Sequence, residues 1–106
     1  MTERKWTIYA SSGPPLVISV RLVTHRGKVT DFTVALLLGD PVGNADECVT
    51  RYDCADGAPH RDVLGRKSAL IRKEFYRTIP KAEVFRYAIH DFKANHGRYL
   101  AYYEAN

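Results

Sequence analysis

The sequence predicts an α+β fold: an antiparallel β-sheet of four to five strands with a long C-terminal helix packed on one face. Three observations predict it. Leu16 to Leu38 alternates apolar and polar residues on either side of a glycine-containing turn, the pattern of a β-hairpin. Phe85, Ala88, Ile89, Phe92, His96, Tyr99, Leu100 and Tyr103 recur at steps of three and four, which lays them along one face of an amphipathic helix. A chain of 106 residues holds one domain with one core. The apolar faces of hairpin and helix therefore cover each other.

Trp6 and Ile8 alternate with Lys5 and Thr7 and suggest a short first strand. Ser11 to Pro15 interrupts it, and the proline pair delivers the chain extended into a second strand. Leu16, Ile18, Val20 and Leu22 share one face of that strand, with Ser19 and Arg21 on the other. His25 to Lys28 turns the chain, and Gly27 suits the positive φ that a tight hairpin requires. The return strand carries Phe32, Val34, Leu36 and Leu38 on one face. Gly39 to Asp46 reads as a loop by composition. A strand resumes from Glu47 to Asp53, with Arg51 and Asp53 on one face and Tyr52 on the other. His60 to Leu64 reads as a short extended piece that projects His60 and Asp62 together. Ala69 to Tyr76 fits either period and is taken as a strand because it comes after strands. Thr78 then offers a helix cap with Pro80 in the first turn, and Gly97 is a candidate interruption inside the helix.

Composition narrows the function classes. The chain is 45% hydrophobic and 26% charged, as an ordinary globular protein is. No apolar run reaches the ~18 residues of a membrane span, and no signal-peptide core comes after the charged N-terminus, so the expected location is the cytoplasm. Cys48 and Cys54 would lie about 20 Å apart on one extended strand, too far for a disulfide, and are expected as free thiols. The net charge is +4, with seven cations against Asp62 and Glu74 between Arg61 and Lys81. Such a basic block suits nucleic acid, an acidic protein or a phosphorylated ligand, or is simply a solvated face. Arg61, Arg66, Lys67, Arg72 and Lys73 are its candidate nucleic-acid contacts.

The chemistry concentrates between Arg51 and Asp62. Arg51, Asp53, Asp56, His60, Arg61 and Asp62 crowd a strand end and a loop bent by Gly57 and Pro59. An imidazole can exchange a proton near neutral pH, a neighbouring carboxylate can fix its tautomer, and guanidiniums can hold a phosphate oxyanion. His60, Asp53, Arg51 and Asp62 are therefore the candidate catalytic residues, sufficient for metal-independent cleavage of RNA. The bland alternative is a loop histidine bonded to a carboxylate. Asp53, Asp56, His60 and Asp62 could instead hold Mg²⁺ or Mn²⁺, although their spacing is not that of an EF-hand. No cofactor is expected. His25 and His90 read as solvated, and His96 as packed and hydrogen-bonded. Tyr99, Tyr102 and Tyr103 could stack on bases, or serve as core or as a partner interface.

The run from Arg51 to Asp62 resembles the signature of small prokaryotic proteins of the TumE-type toxin group, a Tyr-Asp-Asn-x-x-Gly run and then a His-x-His pair. The matched positions are Tyr52, Asp53, Gly57 and His60. Cys54 stands where the group has Asn, and Asp62 where it has the second His. The resemblance implies the toxin half of a toxin–antitoxin pair, with an antitoxin protein as partner. A toxin-like ribonuclease is thus the first expectation, and a non-catalytic module binding nucleic acid or a partner protein the alternative. An exposed sheet edge would also suit a homodimer.

Overall fold

A computed structural model describes residues 1–40, 44–55 and 57–106. The fold is α+β, with one antiparallel sheet and one long helix. The strands are β1 (Thr2–Ser12), β2 (Pro15–His25), β3 (Lys28–Asp40), β4 (Asn44–Asp53), β5 (His60–Gly65) and β6 (Ala69–Phe75). They pair in chain order, so each strand neighbours the one before it and β1 and β6 are the edges. The sheet thus has six strands, not four to five. The extra count comes from His60–Gly65 and Ala69–Phe75, both of which pair fully. The second hides its period because Arg72, Lys73 and Glu74 put polar groups on both faces of an edge strand. β1 is also longer than Trp6 and Ile8 alone indicate.

The β2–β3 hairpin has the expected register, with Ile18 opposite Leu36, Val20 opposite Val34 and Leu22 opposite Phe32. Arg26 and Gly27 both take positive φ, 52° and 77°, between the paired His25 and Lys28. This is the backbone of a tight turn matched to the strand twist. The composition-based loop is shorter than its sequence implies: β3 runs to Asp40 and β4 starts at Asn44, leaving 41–43 outside the described residues.

The helix, α1 (Lys81–Ala105), begins one residue after Pro80. Pro80 holds the cap position without a side-chain bond, its extended backbone presenting its carbonyl to the amides of Glu83 and Val84 at 3.0 and 3.1 Å. Thr78 is therefore not the cap. The helix continues through Gly97, and its irregular residue is Asn95, at φ −125°. Val84, Ala88, Phe92, Leu100 and Tyr103 bury one face of α1 against Leu16, Ile18, Val20, Phe32, Val34 and Leu36. This is the predicted packing of hairpin on helix, and transfer of such side chains from water contributes about 1.5–3 kcal/mol each. Among the described residues, no helix is long and apolar enough to cross a membrane.

Candidate functional site

Strand alternation divides the chemistry of β4, β5 and β6 between two faces. Cross-strand pairing sets Arg51 opposite Asp62 and Asp53 opposite His60, then His60 opposite Phe75 and Asp62 opposite Lys73. These side chains share the face turned away from α1. Their intervening neighbours, Tyr52, Arg61 and Glu74, share the face that meets α1. The sequence grouped Arg61 with His60; the pleat separates them.

On the outer face the groups are close, with His60 and Asp62 enclosed and Arg51 open to solvent. His60 and Asp62 are both 0% exposed. His60 Nε2 lies 3.0 Å from Asp53 Oδ1 and 3.4 Å from Asp62 Oδ1. Its Nδ1 lies 3.0 Å from the carbonyl of Ala58, which assigns that nitrogen as the N–H donor. Arg51 Nε donates to Asp62 Oδ2 at 2.7 Å and lies 3.5 Å from Asp53 Oδ2. That bond, above all, holds the guanidinium above its usual range. Lys73 Nζ lies 3.1 Å from Asp62 Oδ1 and 3.3 Å from His60 Nε2. Phe75 covers the imidazole at a centroid distance of 5.2 Å, and Arg77 lies over Phe75. The bend that returns the chain from β4 to β5 is fixed by Asp53, whose Oδ1 accepts the amide of Ala55. Gly57, at φ +84°, donates its amide to Cys54. Asp56 lies outside the described residues.

The arrangement brings together all four proposed catalytic residues, Arg51, Asp53, His60 and Asp62, and adds Lys73, which the sequence placed among nucleic-acid contacts. Chemically it is a cluster of two carboxylates, a buried imidazole whose Nε2 faces them, and two cations that reach it from the solvent side. Nearby, burial pushes the Cys48 thiol up to about 11. Cys48 and Cys54 are free thiols.

The other face carries a cleft of about 230 Å³, lined by Arg61, Val63, Arg72, Arg98, Tyr99 and Tyr102. Arg61 and Arg98 lie over the Tyr99 ring at 4.9 and 5.5 Å from its centroid. Arg61 and Arg72 share Glu74, at 2.8 and 3.2 Å. Arg72 also reaches the hydroxyl of Tyr102 at 3.5 Å. Three guanidiniums against one carboxylate leave the cleft cationic. Among the described residues, Arg98 has no carboxylate partner. The sequence found Arg61, Arg72 and the tyrosines but missed Arg98, which joins Arg61 and Arg72 in space and not in the chain. Arg66 and Lys67 are elsewhere, in a 3₁₀ turn (Arg66–Ser68) beside Glu47, Tyr103 and Glu104. The five candidate nucleic-acid contacts, Arg61, Arg66, Lys67, Arg72 and Lys73, are therefore split among three separate groups.

A third feature escaped the sequence reading. Asp91 is buried on the apolar face of α1. Its Oδ2 accepts the Tyr52 hydroxyl at 2.8 Å and that of Tyr99, while its Oδ1 accepts Asn95 Nδ2 at 2.7 Å. Burial, with the Asp91 contact second, pushes Tyr99 up to about 12 and Tyr52 well above the usual tyrosine range. This network fixes Tyr99 as the floor of the cleft. Its signal was one acid set among Ala88, Ile89 and Phe92 in an otherwise apolar stripe.

Fold and sites together define a small α+β protein with an enclosed ionic cluster on one sheet face and an open cationic, aromatic cleft on the other. The chain belongs to the DUF7718 family, a domain of unknown function whose family model matches residues 1–106. No curated protein and no solved structure matches the chain.

Proposed function

We propose that this protein is a binding module for single-stranded RNA, which it takes through the cleft of Arg61, Arg72, Arg98, Tyr99 and Tyr102. The observation that carries this reading is one open cleft in which Arg61 and Arg98 lie over the Tyr99 ring and Arg72 reaches the Tyr102 hydroxyl. Guanidiniums hold phosphate oxygens by paired hydrogen bonds, and aromatic faces stack on bases. An acidic peptide would use the charge and leave the rings idle. The burial of His60 favours this reading over a His60 nuclease, because a base must reach the proton it removes. Fluorescence anisotropy with a labelled short single-stranded RNA tests it. Arg72→Glu with Arg98→Glu is expected to weaken binding at least tenfold. Unchanged RNA binding in that variant, or binding only to an acidic peptide, would sink the reading.

One observation favours the toxin-like ribonuclease as a second reading: His60 lies within 3.0 Å of Asp53, in a cluster that includes Arg51. On that reading, expression inhibits growth, His60→Ala abolishes the effect, and an antitoxin protein binds the chain. A His60→Ala variant as toxic as the parent would exclude it.

A further inference from the structure

We propose that Asp53, His60 and Asp62 form a binding site for one hard divalent cation, Mn²⁺ or Mg²⁺. The site lies on the opposite sheet face from the RNA cleft and does not depend on it. One donor atom from each residue falls within 4.8 Å of the others. Two contacts, Nε2 to Asp53 Oδ1 at 3.0 Å and to Asp62 Oδ1 at 3.4 Å, bring the three candidate donor atoms together. Adjacent donors around an octahedral ion with bonds of about 2.1 Å lie about 3.0 Å apart. One separation already has that value, that from Nε2 to Asp62 Oδ1 closes by a few tenths of an ångström, and the two carboxylate donors lie within 4.8 Å of each other.

The surroundings orient these donors. The Nδ1–H of His60 is engaged by the Ala58 carbonyl, so Nε2 is the ring nitrogen turned toward the two carboxylates. A ligating histidine is commonly held this way. Arg51 lies against the outer oxygen of both carboxylates, at 2.7 and 3.5 Å, so the Oδ1 atoms, which accept the Ala55 amide and the Lys73 ammonium, are the ones turned toward Nε2. Two carboxylates with one imidazole suit oxygen-preferring ions. Lys73 supplies positive charge there, with Nζ at 3.1 Å from Asp62 Oδ1 and 3.3 Å from Nε2. Its side chain is 29% exposed, so it can swing to solvent as the ion enters. Binding is an exchange of ammonium for metal, and Lys73 holds the affinity down.

Titration of the full chain with Mn²⁺ alone, monitored by calorimetry and by loss of the free-ion spin-resonance signal, tests the proposal. One Mn²⁺ per chain is expected, displaced by Mg²⁺. Lys73→Gln should tighten binding about tenfold, and Asp53→Asn should weaken it at least tenfold. Asp53 lies at the edge of the cluster, so its variant should keep a native circular-dichroism spectrum where one at His60 or Asp62 could unfold. No saturable Mn²⁺ uptake by folded parent and folded Lys73→Gln would overturn the proposal, as would uptake that Asp53→Asn leaves unchanged.

Discussion

Arg61 and Asp62 are neighbours in the chain and reach opposite faces of the sheet. The Arg61 guanidinium lies 4.9 Å from the Tyr99 ring centroid on the helix side, while Asp62 accepts Arg51 at 2.7 Å on the other. A run that reads as one polar cluster is thereby two sites back to back. Substitutions one residue apart should consequently fail in different ways.

Asp62 is fully buried and pairs with Arg51 and Lys73. Removing it leaves two cations without their shared carboxylate beside an enclosed imidazole. Asp62→Ala should lose about 3 kcal/mol, the scale for breaking one side of a buried ion pair, measured by urea unfolding. Arg61→Ala should lose less stability and more RNA affinity. A stability loss under about 1 kcal/mol for Asp62→Ala would mean that the cluster is looser than the distances imply.

Tyr52 and Tyr99 both donate to the buried Asp91. Tyr99 is pushed up to about 12 and Tyr52 is raised further in the same direction, chiefly by burial. Folded-state values above the unfolded ~10 mean that the native chain holds these protons longer. The stability they contribute is complete below pH ~10 and declines as pH rises toward about 12. Ultraviolet titration should show late-ionising tyrosines whose release coincides with unfolding. Tyr52→Phe should cost about 1–2 kcal/mol, because Asp91 loses one of its donors.

How much of this was legible in the sequence depended on whether the signal was local. Ile18, Val34 and Phe92 announce their faces by period, and these fix the hairpin, the helix and their packing. The β5 and β6 strands were harder, since an edge strand with Arg72, Lys73 and Glu74 has no clean alternation. Arg51 with Asp53, and His60 with Asp62, were found as pairs because two-residue spacing on a strand keeps a face. Applied to Arg61, the same rule gives the opposite face, and the cluster reading overlooked it. Arg98 and Asp91 were harder to place: Asp91 acts through Tyr52, 39 positions away, and Arg98 shares its cleft with Arg61 and Arg72 of the sheet.

Glu74 sits between Arg61 and Arg72. Burial raises its proton affinity, but the two arginines outweigh burial and hold the carboxyl below its usual range. A depressed folded-state value contributes stability that is present above the unfolded ~4.3 and is lost as pH falls through the folded value. The Arg61–Glu74–Arg72 link should therefore weaken only in acid, below about pH 4, as measured by urea unfolding at stepped pH. Glu74→Gln removes the anion that competes with phosphate and should tighten RNA binding roughly threefold to tenfold.

Cys48 is pushed up to about 11, mainly by burial, and Cys54 is buried. The thiolate is the reactive form, so both should resist an aromatic disulfide reagent at pH ~8. Both should react at once in denaturant. Fast labelling of the folded chain would place either thiol in solvent.

The most direct test of the RNA reading is the salt dependence of binding by a short single-stranded RNA. Each phosphate contact on a single strand contributes about −0.7 to the slope of log affinity against log salt. The parent protein should give a slope of roughly −2 if the three guanidiniums of the cleft each meet a phosphate, and Arg98→Ala should reduce its magnitude by about 0.7. A slope near zero, or the same slope in parent and Arg98→Ala, would contradict the account.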